Sequence, residues 1–406
     1  MKEIEKGIVA PLGFKANGIH AGIRHNKDKI DLALIVSNTI CNASAMYTTN
    51  KVKGAPIYVT MENLKDGKAQ AIICNSGNAN TCNKDGIEVS NETCEILANY
   101  LNINKTDIVV ASTGVIGMPM SIEPFKTGIP EIIKGLDNKK ENSNLASKGI
   151  MTTDTVIKDG AVEFKIGDKK CRIGAITKGS GMIAPNMATM LCFITTDCNI
   201  TSAMLDKALK ESVEDSFNML SVDGDTSTND TVAILANGNA NNELIDTNNR
   251  DYKKFLKALK YVCINLAMKM AKDGEGASKL VICKVSGAKS KKQAKIVAKS
   301  VINSSLFKAA MFGADANWGR VLCAIGYANI DVDVLKVDML FKSKKGEVIT
   351  CKNGYGVEFS EEIAKEVLLE DEITVEINLN SGKGEASAFG CDLTYDYVKI
   401  NGDYRS

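Results

Sequence analysis

Residues 178–189 read KGSGMIAPNMAT, and residues 190–196 continue as MLCFITT. Glycines 179 and 181, Ser180 and Pro185 make the first stretch a loop. The second is a short apolar run of the kind that forms a buried strand. A turn-rich loop therefore meets a buried strand at Thr189. Alone, a small residue followed by threonine implies no chemistry, because any loop between two strands can contain one.

Upstream, 31–36 (DLALIV) and 69–74 (AQAIIC) read as buried strands that stop at Asn, Ser or Gly residues. Residues 108–111 form another, running into Ser112, Thr113 and Gly114. Residues 85–101 read as a helix. Downstream, Tyr252, Phe255, Leu256, Leu259, Val262, Cys263, Leu266, Ala267 and Met270 make one apolar stripe at helical spacing, and Gly274 is placed to end it. A soft domain boundary is expected near 285, where lysine-rich KSKKQAK follows SGA. Beyond it, 334–341, 373–379 and 395–400 read as strands, with a helix at about 360–369. This mixture predicts an α/β (α+β) protein of layered sheets.

At 406 residues the chain is long for one hydrophobic core, so two or three lobes are expected. A net charge of +1 gives no field that would favour nucleic acid or an anionic membrane. No apolar run approaches a membrane span, and the N-terminal residues lack the apolar core of a secretory signal. None of the 12 cysteines forms a C-x-x-C pair, and several sit in apolar runs. They read as buried thiols in a reducing cytoplasm. The two histidines, His20 and His25, read as surface loop residues. A nucleophilic enzyme built on this chain would take its base from elsewhere. P-loop and dinucleotide-binding glycine motifs are absent. The acidic run from Asp223 to Asp230 lacks the central glycine and final glutamate of a calcium loop. Trp318 reads as a packing residue.

Eight segments together carry a resemblance: SGNAN (76–80), STGVIG (112–117), MTTDT (151–155), KGSGMIAPNMATML (178–191), SVDGDTSTNDT (221–231), KDGEGA (272–277), GADANWGR (313–320) and NGDYRS (401–406). In this order the chain resembles the ornithine acetyltransferase (glutamate N-acetyltransferase) family of arginine biosynthesis. SGNAN or TTDT alone would be a weak signal, whereas KGSGMIAPNMATML is highly specific.

The resemblance implies a layered αββα-type core with stacked mixed sheets and a smaller C-terminal α+β domain. It implies a catalytic core over 1–284 and a C-terminal domain over 285–406 that returns its last residues to the active site. Self-cleavage between Ala188 and Thr189 would give fragments 1–188 and 189–406. Thr189 would be the nucleophile, and its freed α-amine, with a pKa of about 8, would serve as base. Thr113 and Gly114 match the oxyanion hole. Thr152, Lys178, Thr189, Glu275, Asn401 and Ser406 match substrate-binding positions. Ser406 stands where the family usually ends in threonine, and Gly402 where alanine is commoner.

The implied reaction moves acetyl from N-acetylornithine to glutamate through acetyl-Thr189. No metal or bound cofactor is implied. Some members also use acetyl-CoA, for which no local motif is visible in this sequence. The implied assembly is a cytoplasmic heterotetramer of two copies of each fragment. The competing readings are a self-processing aminopeptidase or amidase of related architecture, and a non-catalytic binding protein.

Overall fold

The structure, a computed structural model, describes residues 1–183 and 190–403. The positions of Ala188, Thr189 and Ser406 lie outside the described residues. The strands of the N-terminal region are β1 (Lys2–Glu3), β2 (Phe14–Ile19), β3 (Leu32–Tyr47), β4 (Lys68–Asn78), β5 (Ile108–Val115), β6 (Lys158–Ile166), β7 (Lys169–Lys178), β8 (Leu191–Thr196), β9 (Leu220–Ser221) and β10 (Thr231–Ala236). Those beyond are β11 (Leu280–Ala288), β12 (Asp338–Ser343), β13 (Gly346–Lys352), β14 (Tyr355–Gly356), β15 (Glu372–Asn378) and β16 (Gly384–Cys391). The first six helices are α1 (Ala55–Asn63), α2 (Gly86–Leu101), α3 (Glu123–Lys134), α4 (Lys140–Ile150), α5 (Ser202–Glu214) and α6 (Arg250–Lys272). They are followed by α7 (Lys291–Asn303), α8 (Ser305–Phe312), α9 (Trp318–Gly326), α10 (Glu361–Leu368) and α11 (Tyr395–Asp403).

One mixed sheet runs β1-β6-β7-β8-β10-β3-β4-β5, with β2 paired to β3. The long β3 serves two halves of it. Its first part pairs with β2 and β4, its last part with β10, and the register with β4 shifts between Val36 and Cys41. The buried clusters show how the halves stack. Ile72, Cys74, Val109 and Ala111 share a core with Leu191, Phe193, Ala233 and Leu235 from the other half. Ala71, Ile73, Ile108 and Val110 point the opposite way, onto α1–α3. Cys192, Ile194, Val232 and Ile234 point onto α5 and α6. The layers are therefore helices, half-sheet, half-sheet, helices, as the αββα expectation has it. Strands buried on both faces read as unbroken apolar runs, which is why AIIC and LCFI stood out.

The second sheet runs β14-β13-β12-β15-β11-β16-β9 and shares a continuous buried core with α6 and α7. Position 284/285 falls inside β11. Among the described residues, no helix is long and apolar enough to cross a membrane.

Three local readings need correction. β3 does not stop at residue 36; the exposed stretch at Asn38–Ile40 is carried on the irregular register and the strand continues to Tyr47. Residues 334–341 open with a 3-10 turn, Val334–Lys336, because Asp333 Oδ1 accepts the Leu335 N–H, and only then join β12. The segment 395–400 is helix α11, not a strand. Its tyrosines and β-branched residues imitate a strand, but Thr394 Oγ1 accepts the Tyr397 N–H and caps a helix. Tyr395 and Val398 are left exposed.

Ten of the cysteines are buried, while Cys82 and Cys323 are exposed, so the reading of buried thiols does not extend to those two.

Candidate active site

Parallel strands β4 and β5 pair Ser76 with Thr113 and Gly77 with Gly114 at their C-terminal ends. Gly114 has φ +133°, and a Cβ there would lie 2.3 Å from the Gly77 carbonyl carbon. Only glycine permits this approach of two main chains. Asn229, just before β10, locks the same spot. Its Nδ2 donates to Ala79 O (2.6 Å) and Ser112 O (2.9 Å), and its Oδ1 accepts from Thr81 Oγ1 (2.7 Å).

Lys178, the last residue of β7, is buried, and its Nζ donates to Thr113 Oγ1 at 3.3 Å. Burial pushes its ammonium below the usual lysine range, against the opposing pull of Asp154 and Asp230. Burial would raise Asp154, but the charges of Lys178 and Lys158 hold it down at about 2. Gly179 N–H donates to Asp154 Oδ1 (2.7 Å), and Thr152 N–H to its Oδ2 (3.0 Å).

Glu275 follows α6, past the point where Gly274 interrupts the helix, and its N–H donates to Ser180 O (2.8 Å). Its carboxylate packs on Gly181 and accepts Asn401 Nδ2 at 2.8 Å. Helix α11 thus delivers Asn401 to the site. The described candidates Thr113, Gly114, Thr152, Lys178, Glu275 and Asn401 all line one cavity of about 130 Å³, joined by Ala79, Ser227, Thr228 and Asn229. This cavity is smaller than the surface clefts elsewhere, and it is where the chemistry-bearing groups converge.

Two aspartates of the 221–231 segment grip the main chain on either side of residues 184–189. Asp223 accepts the Met182 N–H (2.6 Å) and the Ile183 N–H (2.7 Å). Asp230 Oδ1 accepts the Met190 N–H (2.7 Å). Its Oδ2 is buried with no hydrogen-bond partner among the described residues, and burial pushes the carboxyl well above its usual range.

None of Asp154, Asp223, Asn229 and Asp230 is among the site residues that the family resemblance implies. Their signal was present in MTTDT and SVDGDTSTNDT, whose polar residues hold main-chain groups. His20 lies 3.3 Å from Asp31 in a separate loop. Among the described residues, no group of His, Cys, Asp and Glu side chains could hold a metal ion.

A family model described as the ArgJ family matches residues 15–406. The chain is 52% identical to arginine biosynthesis bifunctional protein ArgJ 1 of Clostridium acetobutylicum over 394 residues, which covers 97% of this chain and 96% of that protein. It is 44% identical to glutamate N-acetyltransferase of Methanocaldococcus jannaschii over 413 residues, covering both proteins in full. Among solved structures it resembles the arginine biosynthesis bifunctional protein argJ of Bacillus halodurans. That match has a TM-score of 0.50 at 45% identity, covering 52% of this chain and 98% of that chain.

Proposed function

We infer the chemistry from one premise: this chain belongs to the ArgJ family. It is a glutamate N-acetyltransferase that moves acetyl from N-acetylornithine to glutamate in arginine biosynthesis. The observation that carries the site assignment is the convergence of six residues, drawn from segments between 113 and 401, on one cavity beside the end of β7.

In our reading, the precursor's Thr189 hydroxyl attacks the Ala188 carbonyl, and water opens the resulting ester. The freed α-amine of Thr189 then takes the proton as its Oγ attacks the acetyl carbonyl of N-acetylornithine. Negative charge develops on the carbonyl oxygen, and donors aimed at it lower the barrier. The Gly114 N–H and the Thr113 hydroxyl fit that role. Lys178 donates to Thr113 Oγ1, which leaves the threonine's own hydrogen free to point at substrate. Collapse expels ornithine with the proton and leaves acetyl-Thr189. Glutamate attacks in turn, giving N-acetylglutamate. Glu275, with Asn401 and Thr152, would hold the amino-acid portion, the carboxylate facing an α-ammonium. Ser406 would complete the pocket. Acetyl-CoA as a second donor, a cytoplasmic location and a heterotetramer of two copies of each fragment belong to the same reading. The Bacillus halodurans chain matches just over half of this chain along nearly its whole length, which suits a family cut near the middle.

Intact mass spectrometry tests the reading. The purified protein should give fragments 1–188 and 189–406, and N-acetylornithine alone should add one acetyl group to the second. Thr189→Ala should remain a single chain, and normal cleavage of that variant would remove Thr189 as nucleophile.

A further inference from the structure

Asp154 belongs to the MTTDT segment and has no part in the chemistry described above. Its side chain is wholly buried, and two of its three contacts lead to the main chain of Thr152 and of the residue beside Lys178. Oδ1 accepts Lys158 Nζ (2.6 Å) and the N–H of Gly179 (2.7 Å), the residue after Lys178. Oδ2 accepts the N–H of Thr152 (3.0 Å). Lys158, also wholly buried, bridges to Asp273 at the end of α6, and Asp273 in turn accepts the Thr155 N–H (3.0 Å). Buried ion pairs are costly to desolvate and seldom improve on apolar packing for stability alone. Here the charges sit behind the oxyanion donors. Lys178 is faced by Asp154, Lys158, Asp230 and the Cys74 thiol, and it points at Thr113 Oγ1.

We propose that Asp154 is a positioning residue for acetyl transfer, fixing the main chain of Thr152 and Gly179 and supplying the negative charge against which Lys178 donates to Thr113 Oγ1. The proposal rests on the reading of Thr113 as an oxyanion donor. The carboxylate is specific for this task. It accepts from donors on both oxygens, whereas an asparagine must turn its NH2 toward either the Thr152 N–H or the Gly179 N–H and Lys158. One grip is then lost whichever way the amide lies.

The test compares full-length Asp154→Asn and Asp273→Asn with the wild type. Asp273→Asn breaks the other ion pair of the same buried lysine, Lys158, but touches neither Thr152 nor Gly179. Intact mass gives the cleaved fraction. Then kcat, KM and melting temperature are measured across pH, per cleaved chain. Asp154→Asn should lose roughly 10- to 100-fold in kcat/KM, the scale of a small misplacement of catalytic groups. Its alkaline limb should move to lower pH, because the charge favouring the Lys178 ammonium is gone. Asp273→Asn should lower the melting temperature and keep the limb.

A structural role alone would move the two variants in proportion, and that result overturns the proposal. So does an Asp154→Asn enzyme with wild-type kcat/KM. An Asp154→Asn chain that stays uncleaved but melts like Thr189→Ala supports it, because cleavage needs the same oxyanion donors. One that neither cleaves nor melts cooperatively shows a folding role and overturns it. A wild type without acetyl transfer would sink the underlying reading instead.

Discussion

Replacing Gly181 with alanine should damage substrate binding while leaving the fold intact. The backbone at Gly181 is not in the left-handed region, so alanine is sterically permitted there. The added methyl is the problem. It would lie 2.3 Å from Glu275 Cδ and Oε2, and 2.4 Å from Oε1. Ordinary contact begins near 3.4 Å, so the carboxylate must retreat by about 1.1 Å. A retreat directed away from Asn401 would stretch the 2.8 Å Glu275–Asn401 bond to about 3.9 Å, outside hydrogen-bonding range. A carboxylate so displaced also loses its charged hydrogen bond to the substrate's α-ammonium, and losing such a bond costs about 1.5–3 kcal/mol. At about 1.4 kcal/mol per decade, that is roughly a 10- to 150-fold fall in kcat/KM.

The carboxylate is the far end of a flexible side chain, so folding should absorb the shift. Gly→Ala even stabilises by about 0.4–1 kcal/mol through the unfolded chain. The assay is steady-state transfer from N-acetylornithine to glutamate, normalised to cleaved chain, beside a thermal melt. An unchanged kcat/KM would refute the placement of Glu275 in the amino-acid pocket. A melting temperature lowered by many degrees would mean that the defect is one of folding.

Three further outcomes follow from the same geometry. Thr113→Val, which keeps the shape and removes the hydroxyl, should lower kcat roughly 100- to 1000-fold with the Gly114 N–H still present; a rate near wild type would leave Gly114 as the sole oxyanion donor. Because burial disfavours the Lys178 ammonium, transfer should decline on the alkaline side at a pH below the ordinary lysine range, and Lys178→Met should abolish that limb in a pH–rate profile. Phe193, fully buried between the two half-sheets, should cost about 3–5 kcal/mol as Phe193→Ala, read from denaturant unfolding of uncleaved Thr189→Ala chains so that both states share one covalent form.

Four strands of the first sheet, β3, β4, β5 and β8, were legible because burial leaves a continuous apolar run, and helix α6 because its stripe keeps one period over about five turns. Their ends were less so. β3 reads as ending at Ser37 because polar residues normally close a strand, yet the register shift lets it carry those residues outward and then pair with β10. The site divided in a similar way. Groups that would touch substrate lie in recognisable segments. Asp154, Asp223 and Asn229 act on main-chain amides and carbonyls instead, and no periodicity marks a side chain whose partner is a distant backbone group.

The C-terminal helix shows what such pairings decide. Residues 395–400 have strand-like composition, and the only local signal against a strand is the Thr394 hydroxyl. What fixes the helix lies more than a hundred residues upstream, in KDGEGA. Thr394 Oγ1 donates to Gly276 O at 2.6 Å, and Asp392 accepts the N–H groups of Ser278 and Lys279. Gly276 has φ +67°, and a Cβ there would lie 2.5 Å from the Tyr397 nitrogen. The first turn of α11 therefore sits directly on a glycine that can carry no side chain. Since Glu275 is the neighbouring residue, the contact that seats the helix also sets its carboxylate opposite Asn401. The two segments reach the cavity as one unit, although neither sequence alone announces the other.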